Sequence, residues 1–240
     1  MKYAISDIHG MFDKFLLLLE KINFSDNDEL YIIGDVIDRG DKPIETLEYI
    51  MNKPNMHLLM GNHEYWMLCC YDAYLQRKIY PYELIEAKQV WMQNGGNITL
   101  KQFQKLPREK QISIIKFLRK CPYYLIIDKY ILCHAGIRMD EKFEKKSVEE
   151  ILKHQSADDL LNIRSEFYNN KALENYTIIF GHTPTEFISE ERNEILETPM
   201  AIWYDKTFND KICIDCGAVY EADGGRPACL RLEDLKEFYL

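Results

Sequence analysis

Short apolar runs, each closed by a polar cluster, recur along the first sixty residues. Lys2-Tyr3-Ala4-Ile5 runs into Ser6-Asp7-Ile8-His9-Gly10. Leu30-Tyr31-Ile32-Ile33 runs into Gly34-Asp35-Val36-Ile37-Asp38-Arg39-Gly40, and Met56-His57-Leu58-Leu59-Met60 into Gly61-Asn62-His63-Glu64. Runs of this length, bounded by glycine and polar residues, predict buried strands. Between them, Phe15, Leu18, Leu19 and Ile22 fall at helical spacing behind Asp13, a predicted helix cap. Ile44, Leu47 and Ile50 follow Pro43, which suits a first helical turn. Strand, helix, strand, helix, strand is the βαβ pattern.

The periodicity changes after Glu64. Residues 65–120 read as a helical insertion, with a capping box at Thr99 and Gln102, a turn at Asn94-Gly95-Gly96-Asn97 and a helix from Pro107 carrying Ile112, Ile115 and Leu118. Its aromatic residues (Tyr65, Trp66, Tyr71, Tyr74, Tyr80, Tyr82 and Trp91) are assigned mostly to helix packing, the remainder to a substrate groove. Residues 125–133 predict a hairpin turned at Asp128-Lys129, and 147–163 a helix. Residues 177–180, 211–215 and 228–232 predict strands, with a tight turn at Asp223-Gly224-Gly225-Arg226 joining the last two. The expected fold is α/β with mixed sheets.

Two later strands end in the same way as the first three. Tyr130-Ile131-Leu132-Cys133 precedes His134-Ala135-Gly136, and Thr177-Ile178-Ile179-Phe180 precedes Gly181-His182-Thr183. His9, His63, His134 and His182 therefore share one setting, while His57 and His154 lack it and read as structural. Clusters at successive strand ends gather at one sheet edge, where ligands of open α/β sheets sit. Because they run from Asp7 to His182, a single domain over residues 1–240 is expected.

Aspartate, asparagine and histidine are oxygen and imidazole ligands for hard or borderline ions. Hydrolysis of a phosphate ester on two metals needs an anionic bridge between them. Asp35 is the candidate bridge, with Asp7 and His9 completing one site and Asn62, His134 and His182 the other. The absence of a cysteine ligand points to Mn²⁺, Fe or Zn²⁺. Arg39 and Arg164 are candidates to grip phosphoryl oxygens, His63 to protonate the leaving oxygen, and Asp38 to orient His63.

The 240 residues are 47% hydrophobic and 12% aromatic, enough for a sizeable core. A net charge of −9 argues against a duplex nucleic acid or an anionic membrane as partner, though not against a phosphorylated substrate. The seven cysteines, among them Cys69 and Cys70 adjacent and Cys121, Cys133, Cys213 and Cys229 in or beside apolar runs, are expected to form no zinc-type C-x-x-C pair and read as reduced thiols. The Cys69-Cys70 pair is read as structural before redox-active. With no leader and no membrane-length apolar stretch, a cytoplasmic location is expected.

These blocks, in this order over residues 2–232, resemble the phosphoprotein phosphatase branch of the calcineurin-like metallophosphoesterase superfamily, in its bacterial serine/threonine form. The resemblance implies a β-sandwich of mixed sheets flanked by helices, with the helical insertion after the third strand. It implies Asp7, His9 and Asp35 on one metal and Asp35, Asn62, His134 and His182 on the other, with Mn²⁺ the usual ion. It makes His63 the general acid paired with Asp38, and Arg39 and Arg164 the phosphate ligands. Ser6 replaces a glycine of the pattern, Ile37 a valine, and Met60 the arginine of eukaryotic members. The tail, Ile214-Asp215-Cys216-Gly217-Ala218 and then Ala228-Cys229-Leu230-Arg231-Leu232, is also similar to symmetrical diadenosine tetraphosphate hydrolases.

The expected substrate is phosphoserine or phosphothreonine in proteins, or a small phosphate ester. The alternative is symmetrical hydrolysis of a dinucleoside polyphosphate. Asp38 favours the first, because an alkoxide leaves poorly without a proton and a phosphate leaves well. A non-catalytic phosphate-binding module is the remote third reading, since such a module should have lost a ligand.

Overall fold

The computed structural model describes residues 1–76, 88–143 and 146–240. The first sheet contains β1 (Lys2–Ile5), β2 (Glu29–Ile32), β3 (Met56–Leu58), β9 (Ala228–Arg231) and β10 (Glu237–Tyr239), in the order β10-β9-β1-β2-β3. The helices Phe12–Lys21 and Pro43–Met51 carry the chain back between β1, β2 and β3, which are parallel. Pairing of Ile5 with Ile32, and of Ile32 with Leu58, brings the three strand ends level. β9 runs antiparallel to both β1 and β10, so the sheet is mixed.

The second sheet contains β4 (Tyr124–Ile127), β5 (Tyr130–Cys133), β6 (Thr177–Phe180), β7 (Trp203–Tyr204) and β8 (Lys211–Cys213), in the order β4-β5-β6-β8-β7. The β4–β5 hairpin turns at Asp128 and Lys129, as expected, with Ile127 paired to Tyr130. β5, β6 and β8 are parallel, and β7 is antiparallel to β8.

Period-two alternation divides each strand between two cores. Ala4, Tyr31 and Ile33 face Leu132, Ile179 and Ile212 across the sandwich. Tyr3, Ile5 and Ile32 point the other way, onto Phe15, Leu18, Leu47 and Leu118 of the first helical layer. Ile131 and Phe180 pack on Leu152, Leu160 and Phe167 of the second. Strands covered on both faces are apolar throughout, which is why they read as unbroken runs. The result is the expected β-sandwich of mixed sheets flanked by helices.

Several local expectations fail. Asp13 does not cap a helix but sits in its first turn and accepts from Nζ of Lys42 at 2.6–2.7 Å. Thr99 is inside the helix Gly96–Phe103, whose N-cap is Gly95. Residues 147–163 form two helices, Val148–Lys153 and Ala157–Asn162, because Ser147 and Ser156 each open a capping box. The strand predicted over 211–215 stops at Cys213. The turn near Gly224 leads from β8 to β9, which lie in different sheets and do not pair. In the insertion, Asn62–Gln76, 88–93, Gly96–Phe103 and Arg108–Leu118 are helical. The side chains of Tyr74, Tyr80 and Tyr82 lie outside the described residues. Among the described residues, no helix is long and apolar enough to cross a membrane.

Candidate active site

The ends of β1, β2, β3, β5 and β6 deliver nine of the ten sequence-predicted site residues to one end of the sandwich, and Arg164 reaches it from the loop before the helix Ser165–Tyr168. Asp7, His9, Asp35, Arg39, Asn62, His63, Arg164 and His182 line a pocket of about 250 Å³, together with Trp66, Asn94 and Asn162. Asp38 and His134 lie behind this lining, bonded to His63 and Asn62. His57 instead stacks on Tyr31, and Nδ1 of His154 bonds the Glu150 carbonyl.

Six of the ten residues adopt a left-handed backbone: Asp7, His9, Asp35, Asp38, Arg39 and His182 have φ of +52°, +46°, +53°, +71°, +61° and +67°. Side chains pay strain in that region, and it persists only where surrounding bonds impose it. One such bond runs from the His9 amide to the Asp35 carbonyl at 2.9 Å. Glu64, fully buried, supplies others. Its carboxylate accepts from the amides of Asp35, Val36, Ile37 and Gly61 at 2.8–3.2 Å, locking the β2 loop to the β3 loop. Gly61 and Gly181 are required by close approach. A Cβ on either would stand 2.2 Å from a carboxylate oxygen, of Asp35 or Asp7 respectively.

Asp35 is the centre of the donor set. Its Oδ2 lies 3.7 Å from Nε2 of His9, 3.7 Å from Nε2 of His63 and 3.5 Å from Nε2 of His134. Oδ1 of Asn62 lies 2.7 Å from Nε2 of His134 and 3.0 Å from Nδ1 of His182. Nδ1 of His9 donates to the Ile37 carbonyl, and Nδ1 of His134 to the Ile33 carbonyl, both at 2.9 Å. A carbonyl can only accept, so each Nδ1 carries the proton and each Nε2 is left bare toward Asp35.

Burial holds His9, His63 and His182 well below the usual histidine range and His134 below it. Burial, with Asp7 and Glu64 nearby, holds the Asp35 carboxyl well above its usual range. Among the described residues, two groups, His9–Asp35–His63 and Asp35–His134–His182, have ligand atoms close enough to share an ion. Buried carboxylates, an amide oxygen and neutral imidazoles fit a divalent cation, which would offset the cost of burying the anions.

Behind this set, Nδ1 of His63 lies 2.6 Å from Oδ2 of Asp38, which also accepts from Nε1 of Trp91 at 2.7 Å. The Thr99 hydroxyl donates to the other Asp38 oxygen and accepts from the Asp38 amide at 2.9 Å. Burial pushes the Asp38 carboxyl up to about 7, against these bonds. Nη2 of Arg39 is 3.3 Å from Nε2 of His63, and Nη1 of Arg164 donates to Oγ1 of Thr183 at 2.9 Å.

Glu64, Trp91, Thr99 and Asp215 also belong to this region, though none of them is among the sequence-predicted site residues. Asp215, just past β8, is buried, and burial beside Asp7 pushes its carboxyl well up. Contrary to the expectation of no C-x-x-C pair, Cys213 and Cys216 stand at that spacing, which in sequence suggests a metal or redox pair. Burial pushes both thiols well up, and Sγ of Cys213 donates to the Thr183 carbonyl at 3.3 Å, so the pair packs the core.

Sandwich, strand-end donors and the polar pocket they line are those of a metallophosphoesterase. Residues 3–215 match the calcineurin-like phosphoesterase family, and the chain belongs to it. Over 265 residues it is 28% identical to the bis(5'-nucleosyl)-tetraphosphatase PrpE [asymmetrical] of Bacillus cereus strain B4264, covering 98% of this chain and 92% of the relative. The protein of that name from Bacillus thuringiensis strain Al Hakam is 27% identical over the same shares. Among solved structures, one provisionally described as a diadenosine tetraphosphatase shares the fold with a TM-score of 0.65 at 16% identity, covering 100% of this chain and 92% of that one. A Saccharomyces cerevisiae protein serine/threonine phosphatase shares it with a TM-score of 0.53 at 14% identity, over 100% and 78%.

Proposed function

We propose that this chain is a two-metal phosphohydrolase that cleaves dinucleoside tetraphosphates asymmetrically. The observation that carries the chemistry is the convergence of three imidazole Nε2 atoms on Asp35 Oδ2 at 3.5–3.7 Å. In this reading Asp7, His9 and Asp35 hold one divalent ion and Asp35, Asn62, His134 and His182 the other. Nitrogen and oxygen donors suit Mn²⁺, with Fe or Zn²⁺ meeting the same set. Bound there, the ions would supply Lewis-acid polarisation of the phosphoryl group and activation of water.

The other steps belong to side chains. Arg39 and Arg164 grip phosphoryl oxygens through their forked donors. Asp38 accepts the Nδ1 proton of His63, which turns Nε2 toward the pocket. To act as the acid, His63 must carry a proton on both ring nitrogens; the Asp38 carboxylate beside Nδ1 favours that charged form, and the Nε2 proton then passes to the leaving oxygen, leaving neutral His63 with its Nδ1–H still on Asp38. Although His63 also groups with His9 and Asp35, its bond to Asp38 favours the acid role over a ligand role.

Substrate choice is supported by similarity over 98% of the chain to relatives named as asymmetrical tetraphosphatases. Asymmetrical cleavage, giving a nucleoside triphosphate and a monophosphate, displaces the symmetrical cleavage expected as the alternative. A second reading, hydrolysis of phosphoserine or phosphothreonine, is favoured by the buried His63–Asp38 pair, which a poor alkoxide leaving group needs most. The test is Mn²⁺-loaded protein with diadenosine tetraphosphate and with a phosphoserine or phosphothreonine peptide, side by side. ATP and AMP in equal amounts support the proposal. Two ADP would restore symmetrical cleavage, and turnover of the peptide alone would establish the second reading.

A further inference from the structure

Asp38 is gripped from the helical insertion as firmly as from its own loop. Oδ2 accepts from His63 and from Trp91, and Oδ1 accepts from the Thr99 hydroxyl, which itself accepts from the Asp38 amide. Relative exposures are 0% for Asp38 and Thr99, 1% for His63 and 2% for Trp91, so water cannot substitute for any of these bonds. Trp91 and Thr99 bracket the turn Asn94-Gly95-Gly96. Gly95 has φ +95°, its carbonyl accepts from the Arg39 amide at 3.4 Å, and a Cβ on it would stand 2.9 Å from Cγ of Arg39. A Cβ on Gly96 would stand 2.5 Å from the Trp91 indole. Residues 91–99 therefore close on Asp38 and Arg39 through two side chains and one carbonyl, where both residues hold a left-handed backbone.

We propose that Trp91 and Thr99 are positioning residues for the proton-donating pair, and that through them the insertion determines which leaving groups the site can expel. This rests on His63 being the general acid. A carboxylate fixed by three donors cannot rotate, so its Oδ2 stays aimed at Nδ1 of His63 and keeps Nε2 toward the pocket. Thr99 must accept and donate at once. Valine has its shape and does neither, leaving the Asp38 amide and Oδ1 buried without partners. Serine keeps both bonds. Phenylalanine at 91 keeps the ring and removes only the N–H. Neither residue belongs to the donor set around Asp35, so phosphoryl activation should survive their loss.

The test uses Mn²⁺-loaded wild type, Thr99→Val, Thr99→Ser, Trp91→Phe and His63→Asn on substituted phenyl phosphates, from nitrophenyl to unsubstituted phenyl. Thr99→Val and Trp91→Phe are expected to lose ~10-fold or more in kcat on phenyl phosphate and less than ~3-fold on nitrophenyl phosphate, a fraction of what a general acid contributes. Thr99→Ser should restore the wild-type slope, and equilibrium Mn²⁺ affinity should be unchanged throughout. Uniform losses across the series in Thr99→Val and Trp91→Phe, or Thr99→Ser as impaired as Thr99→Val, would overturn the inference. If His63→Asn is itself indifferent to the leaving group, the acid assignment falls and takes this inference with it. If His63→Asn is selective and the other two are not, only this inference falls.

Discussion

Nδ1 of His63 donates to Oδ2 of Asp38 across 2.6 Å, with both side chains buried. The pair spans the β2 and β3 loops, so sheet register sets its geometry. His63→Asn is expected to leave metal binding intact and to slow phenyl phosphate by ~10²-fold or more, the scale of general acid catalysis, with a much smaller effect on nitrophenyl phosphate. Steady-state kinetics on the two esters checks this. Equal losses would remove His63 from the proton transfer.

Arg164 approaches the pocket from the other sheet, braced on Thr183. Arg164→Ala should weaken phosphate as a competitive inhibitor by ~10-fold, since a charge-assisted hydrogen bond is worth about 1.5–3 kcal/mol. Inhibition constants for inorganic phosphate measure this directly. An unchanged constant would relieve Arg164 of the role.

Glu64 has a different weight, because it receives four amides. Glu64→Gln turns an NH₂ group toward buried N–H donors, and each donor left unpaired costs about 1–3 kcal/mol. A loss of about 3 kcal/mol or more in urea unfolding is expected, together with weaker Mn²⁺ binding, because the loops that carry Asp35 and Asn62 are no longer locked. Unfolding within about 0.5 kcal/mol of wild type, the range of ordinary surface substitutions, would show that the clamp is dispensable.

Metal binding should stabilise the fold in a pH-dependent way. A carboxyl raised in the folded state, as Asp35 is, favours folding while protonated and loses that contribution as pH rises. An ion binds the ionised form and reverses the loss. The three ligand histidines, His9, His134 and His182, are held below their usual range by burial and so add little proton competition near neutral pH. The rise in melting temperature on adding Mn²⁺ should therefore grow from pH 5.5 to 8. Differential scanning fluorimetry at fixed Mn²⁺ reads it, and a rise that is flat or shrinks with pH would contradict the donor set.

The strand-end clusters were legible because their information is local. A buried parallel strand must be apolar on both faces, so Asp7, Asp35, Asn62, His134 and His182 stand out where each run stops. The support of Asp38 was not legible, because its partners are remote: Thr99 is 61 residues away and Trp91 53. At local spacing Thr99 and Gln102 suggest a cap, yet the hydroxyl is spent on Asp38 and Gln102 bonds the Asp41 carbonyl. Glu64 stood inside a visible motif, but nothing in its neighbours tells that its carboxylate collects amides from another loop. β7 spans two residues and β10 three, too short for alternation to register. Ser156 was the readable signal that divides residues 147–163, since a serine followed three residues later by an acid opens a helix as readily as it continues one.

The claim that two ions share Asp35 is tested most directly by the number of Mn²⁺ ions bound per chain, by titration calorimetry and elemental analysis, in wild type and Asp35→Asn. The account predicts two ions in wild type, and in the variant weakened binding at both sites with activity on diadenosine tetraphosphate lower by ~10²-fold or more, as expected when metal-assisted stabilisation of the transition state is lost. Two ions bound at wild-type affinity by Asp35→Asn, with activity retained, would contradict it.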